Sequence, residues 1–171
     1  MLFTRLLPLL CLLSLSQVSL AQESATSRRR VPETCAVTTP LEHPFVPPRP
    51  YRHNLANSGV NWFGSDTLWT ILPNDGIWGQ GEKTFWFQED WGRYKGSDHW
   101  IPAIDSTKLT VTARRLDGPA PPPEVGQASS SYRQDWKAFL VGGINFPTPG
   151  CWEVSSRYEN AELTFVVWVV K

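Results

Sequence analysis

The stretch PTPGCWEVSSRYENAELTFVVWVVK, Pro147 to Lys171, decides how the rest of the chain folds. From Cys151 its residues alternate. Cys151, Glu153, Ser155 and Arg157 fall on one side, and Trp152, Val154, Ser156 and Tyr158 on the other. A period of two belongs to an extended strand. Glu159-Asn160 interrupts the pattern as a turn, with Asn160 expected to take the left-handed geometry. The returning strand places Leu163, Phe165, Val167 and Val169 on one face and Thr164, Val166, Trp168 and Val170 on the other. A strand apolar on both faces is expected inside a sheet or between layers, because an exposed edge of that kind recruits other strands.

Working outward, the body repeats this pattern in shorter pieces. Thr67 to Leu72 alternates, and the turn signal Pro73-Asn-Asp-Gly76 follows, so Ile77-Trp78 is expected to begin a returning strand. Lys83 to Gln88 is the next strand. Lys108 to Ala113 turns Leu109, Val111 and Ala113 inward and Lys108, Thr110 and Thr112 to water. Gly118 to Pro123 is a proline loop, and Glu124 to Arg133 reads as polar loop. Ala138 to Phe146 is a further strand, weakened or bulged at Gly142-Gly143. Pro40 to Pro50 carries five prolines and predicts an extended strap. There is no internal repeat and no long 3.6-residue period. The expectation is an all-β fold: a single, mostly antiparallel, immunoglobulin-like β-sandwich with an irregular Pro-rich N-terminal strap.

Residues 1–21 read as a secretory signal peptide. Arg5 supplies a positive charge, Leu6 to Leu15 a short apolar core, and Ser19-Leu20-Ala21 the small residues of a cleavage site. That core is too short to span a bilayer. Residues 22–34 read as a flexible tail containing Arg28-Arg29-Arg30, and 35–171 as the sandwich domain. After cleavage the charges are 15 Lys and Arg against 16 Asp and Glu. This near balance points away from nucleic acid as a partner. Of three cysteines, Cys35 and Cys151 survive cleavage. In a secreted, extracellular or periplasmic protein they are expected to form a disulfide. The alternative, a metal site joining them to His43, His53 or His99, has no supporting spacing. No cofactor is expected.

Pro147 to Val154 resembles the penultimate strand of immunoglobulin-like modules, although the Cys–Trp–Cys spacing of antibody domains is absent. More closely, the chain resembles a family of uncharacterised secreted bacterial proteins. The matching segments are Cys35-Ala-Val-Thr38, Leu68 to Leu72 with Asp75-Gly76, Leu109 to Pro122, and Phe146 to Val167 around Gly150-Cys-Trp-Glu-Val154. The resemblance implies export and this fold, and no activity.

No catalytic signature frames the titratable residues. Ser65-Asp66 and Asp98-His99 supply nucleophile and base types but lack a Gly-x-Ser-x-Gly elbow. A hydrolase using His99 with Asp98 or Ser65 is therefore the alternative reading, and a structural subunit of an envelope assembly is another. The unusual feature is the nine tryptophans. Trp69, Trp152 and Trp168 fit strand patterns and are expected in the core. Trp86 shares the side of its strand with Thr84 and Gln88, and Trp91, Arg93, Tyr94, Asp98, His99 and Trp100 follow in a polar loop that interleaves aromatic and charged side chains. Such a surface suits recognition, with a glycan or an envelope protein as the candidate partner. The expected function is a non-catalytic binding or interaction module.

Overall fold

A computed structural model describes residues 30–48, 51, 55, 58–88, 105–133 and 137–171. Ten strands in two packed sheets account for nearly all the regular structure, and the described residues contain no α-helix. The strands are β1 (Val60–Gly64), β2 (Trp69–Pro73), β3 (Ile77–Gly79), β4 (Gly81–Phe87), β5 (Leu109–Arg115), β6 (Glu124–Val125), β7 (Ser129–Arg133), β8 (Lys137–Asn145), β9 (Gly150–Tyr158) and β10 (Ala161–Val170). The large sheet runs β1-β2-β4-β8, with β6 and β7 both on the far side of β8. The small sheet runs β3-β10-β9-β5. The all-β sandwich expected from the sequence is the observed architecture.

The closing hairpin forms as the alternation dictates. β9 and β10 pair from Ala161–Tyr158 to Val169–Gly150, and β10 lies in the interior of its sheet. Its Leu163, Phe165, Val167 and Val169 are buried in the core. The left-handed turn residue is Glu159, at φ 53°, rather than Asn160. Trp168 stands on the opposite face, half-buried and paired with Cys151, so it is not a core residue. Cys35 and Cys151 form the expected disulfide, with Cα atoms 5.6 Å apart.

Three sequence expectations change. Ile77-Trp78 does not return alongside β2. Gly76 turns with φ 65°, and the chain crosses to the small sheet, where β3 pairs in parallel with the end of β10. The cause is Trp78, which is buried against Phe146 and Phe165 in the layer between the sheets. Second, Glu124 to Arg133 is not loop throughout, since β6 and β7 pair with β8. Third, β8 itself runs unbroken against β4 through Gly142 and Gly143. The irregularity lies on its other side. Gly126 bonds to Gly143 and Ser129 opposes Val141, so two residues, Gln127 and Ala128, face the single Gly142. That arrangement is a β-bulge in the edge strand.

Register assigns the faces of the large sheet, because directly paired residues share a face. Phe63, Thr70, Trp86 and Leu140 point inward, and Phe63 and Trp86 reach Phe165 at 6.1 and 6.0 Å between ring centroids. Trp62, Ile71, Trp69 and Phe87 point outward. They are nonetheless covered, because the strap lies over them. Tyr51 meets Trp69 at 5.3 Å and Phe87 at 6.0 Å, and Phe45 meets Trp69 at 5.9 Å. The strap begins on the other sheet, where Thr38 bonds Val166 of β10, and passes His43 against Phe63 on the way. It therefore closes one open side of the sandwich and roofs the large sheet.

Candidate functional site

The sequence motif around Gly150 lies at one end of the sandwich. Leu116 N donates to Cys151 O at 2.8 Å, extending β5 along β9. Arg115 Nε lies 2.6 Å from Asp117 Oδ1, and Arg115 Nη1 donates to the Thr148 hydroxyl at 3.1 Å. The Thr148 carbonyl accepts the Trp152 indole N–H at 3.1 Å. Gly150 has φ 147°, and a Cβ there would fall 2.7 Å from Arg115 Nε. Only glycine fits that conformation and that approach. The bond from Arg115 holds the Asp117 carboxyl below its ordinary range, burial opposes this, and the Cys151 backbone N–H adds to the lowering. These residues satisfy one another. Their arrangement is a corner that joins the sheets.

The opposite end gathers the longer connections. Gly81 pairs with Asn145, next to Phe146, which packs on Trp152 and Trp78. The start of β4 therefore lies at the Gly150 end, and Phe87 lies at the Glu159 end. Gly64 pairs with Trp69, which pairs with Phe87, so the β1–β2 turn lies there too. Leu109 pairs with Tyr158, which brings the start of β5 to the same end. β7 ends and β8 begins there, because Trp86 pairs with Leu140, which pairs with Ser130. The segment from 88 to 105 thus leaves the large sheet and enters the small sheet at one end of the sandwich. Trp136, between β7 and β8 in sequence, lies outside the described residues.

The flanks of this end are polar and built from local bonds. Asp105 Oδ1 accepts from the Thr107 amide at 3.0 Å and hydroxyl at 2.5 Å, and these bonds lower its carboxyl pKa. Lys108 Nζ lies 2.7 Å from Glu159 Oε1, which raises the lysine pKa. Burial raises the pKa of the Tyr158 hydroxyl beneath them.

Of the expected binding residues, the structure describes Trp86, and it belongs to the core. It is 0% exposed, and its indole N–H donates to the Thr84 hydroxyl at 2.8 Å. The neighbouring threonine, which in sequence suggested a wet face, is the indole's buried partner. Trp91, Arg93, Tyr94, Asp98, His99 and Trp100 lie outside the described residues. So do His99 and Asp98 of the hydrolase alternative. Its third residue, Ser65, has a structural use: its hydroxyl lies 3.0 Å from Thr67 Oγ1 and 3.4 Å from the Leu68 carbonyl and amide, inside the β1–β2 turn. Among the described residues, no three His, Cys, Asp or Glu side chains gather to hold a metal, and no helix is long and apolar enough to cross a membrane.

No family model matches the chain, and comparison with curated proteins and with solved structures finds no significant similarity.

Proposed function

We propose that the chain is an exported, non-catalytic binding module that recognises its partner with the aromatic and charged residues carried at the Glu159 end. One observation supports the reading: β4 ends at Phe87 in the large sheet and β5 begins at Leu109 in the small sheet, both at the Glu159 end of the sandwich. Recognition residues commonly sit on connections held by such a scaffold. Trp91, Arg93, Tyr94, Asp98, His99 and Trp100 are the contacting set, with Trp136 added from the neighbouring connection and Trp86 removed to the core. Aromatic rings beside cationic and acidic groups suit sugar faces or a protein partner, so a glycan or an envelope protein is the partner class. Export is supported by the buried disulfide together with the leader-like residues 1–21, since such bridges persist in oxidising compartments.

The test is fluorescence titration with glycan arrays and envelope extracts. Trp62, Trp69, Trp78, Trp86 and Trp152 are 5% exposed or less. Quenching by iodide therefore reports mainly the remaining tryptophans. A ligand should shield Trp91 and Trp100 from iodide, and Trp91→Ala with Trp100→Ala should abolish binding while the far-UV spectrum is kept. Protection from iodide already complete in the free protein, with no response to any ligand, would remove the site.

A further inference from the structure

The N-terminal segment from Val31 to Pro40 is not a strand, yet it completes one. Thr38 N donates to Val166 O at 2.8 Å, and Val166 N donates to the Thr38 hydroxyl at 2.9 Å. The two bonds occupy the β10 edge just before β3 takes it over at Trp168. Val37 presses on Gly76, where a Cβ would lie 2.7 Å from its own Cβ. Cys35 then ties the segment to Cys151 on the neighbouring strand. Both cysteines are buried, 4% and 2% exposed, although neither belongs to the core between the sheets. Cys35 belongs to the segment, so the bridge is buried where the segment meets β9.

We infer that the Cys35–Cys151 bridge and the Thr38–Val166 pair form a two-part latch, in which the seated segment shields the bridge from thiols and reduction of the bridge frees the β10 edge. Thiolate attack needs access to a disulfide sulfur, and that access exists only after the segment lifts. The reductant is a dithiol. Its thiolate bonds to one cysteine sulfur and breaks the S–S bond, and the other cysteine leaves as a thiolate and takes a proton. The reagent's second thiol then closes on the mixed disulfide, and the second cysteine leaves as a thiol. Two electrons and two protons reach the protein, and the dithiol becomes a cyclic disulfide. Without the cross-link, the Thr38–Val166 bonds, the Val37 contact at Gly76 and the burial of Pro40 remain to hold the segment. Such local attachments open readily compared with a core. Val166 then loses both backbone partners, and the edge of the most apolar strand is exposed.

The experiment measures bridge reduction by dithiothreitol in the full chain, followed by mass spectrometry of alkylated cysteines. The wild-type bridge should react more slowly than an exposed disulfide by on the order of tenfold or more. Thr38→Val keeps the branched shape and deletes the hydroxyl partner of Val166, so it should speed reduction about five- to tenfold. Thr38→Ser keeps the hydroxyl and should stay within about twofold of wild type. After reduction, the Val166 amide should exchange with solvent faster than the amides that β9 and β10 share. Reduction as fast as in an exposed disulfide, equal rates in wild type and Thr38→Val, or a Val166 amide still protected after reduction would each overturn the latch. If Thr38→Val fails to fold, exchange at Val166 in the reduced wild-type chain decides the matter.

Discussion

The two sheets differ most on the faces they turn away from each other. On the small sheet that face is wet. Thr110, Arg157 and Glu162 form one row across three strands, and Thr112, Ser155 and Thr164 form the next. Ser155 and Thr164 hydroxyls lie 3.0 Å apart, and Arg114 meets Glu153 at 2.7 Å. On the large sheet the corresponding face carries Trp62, Trp69 and Phe87, roofed by Tyr51 and Phe45. One face is finished by water, apart from the end where the Cys35 segment joins Cys151, and the other by the chain's own strap. The strap thus serves as a third layer over one half of the fold, and its residues should behave energetically as core.

The largest effect should come from the layer between the sheets, as the reference for that comparison. Trp86→Ala removes a fully buried indole stacked near Phe165 and should cost about 3–5 kcal/mol in urea unfolding. Replacing Cys35 and Cys151 by serine removes the tie that seats the strap. Its closed loop is long, at a separation of 116 residues, and the loss should be roughly 2–4 kcal/mol by the same assay. Tyr51→Ala tests the roof directly. A third layer requires a loss of about 2–3 kcal/mol, and a change no larger than a surface substitution would reduce the strap to a decoration.

Asp117→Asn probes the corner that holds the sheets together. The Asp117 carboxyl is lowered in the folded state, so its contribution is present above its unfolded pKa and lost as pH falls through the folded value. The unfolded value is about 3.9, so acid unfolding of the variant should show a flatter pH dependence below roughly pH 4. The smallest effect belongs to the wet face: Thr112→Val should change stability by no more than about 0.5 kcal/mol.

This contrast also explains what could be read from the residues. β5 and β9 were legible because one face of each meets water along much of its length, so polar and apolar residues alternate, and β10 because a run apolar on both faces has to lie inside a sheet. The cover over the outer face of the large sheet was not, because Trp69 and Thr70 on β2 and Trp86 and Phe87 on β4 are buried on both sides and leave no wet side to mark it. Phe45 and Tyr51 give no sign in sequence of the surface they cover. β6 and β7 were missed because Glu124 and the Ser129 to Ser131 run lack an apolar period; their pairing is imposed by β8. The Asp75-Gly76 turn was legible as a turn, but a turn signal does not specify which sheet receives the next strand. Trp86 was assigned to a surface because Thr84 and Gln88 share its side, and a polar neighbour in sequence can be a buried acceptor. Of the candidate site, the structure describes Trp86 alone, and it lies in the core.

The strand order has a consequence for how the protein must be made. Among the described residues, β3 pairs only with β10 in the small sheet, and β5 only with β9. Nothing in that sheet can assemble while β9 and β10 are still inside the ribosome, so the nascent chain must wait with Trp78, Leu109 and Val111 unpaired. A polypeptide delayed in this way keeps the small sheet open until its last hairpin arrives.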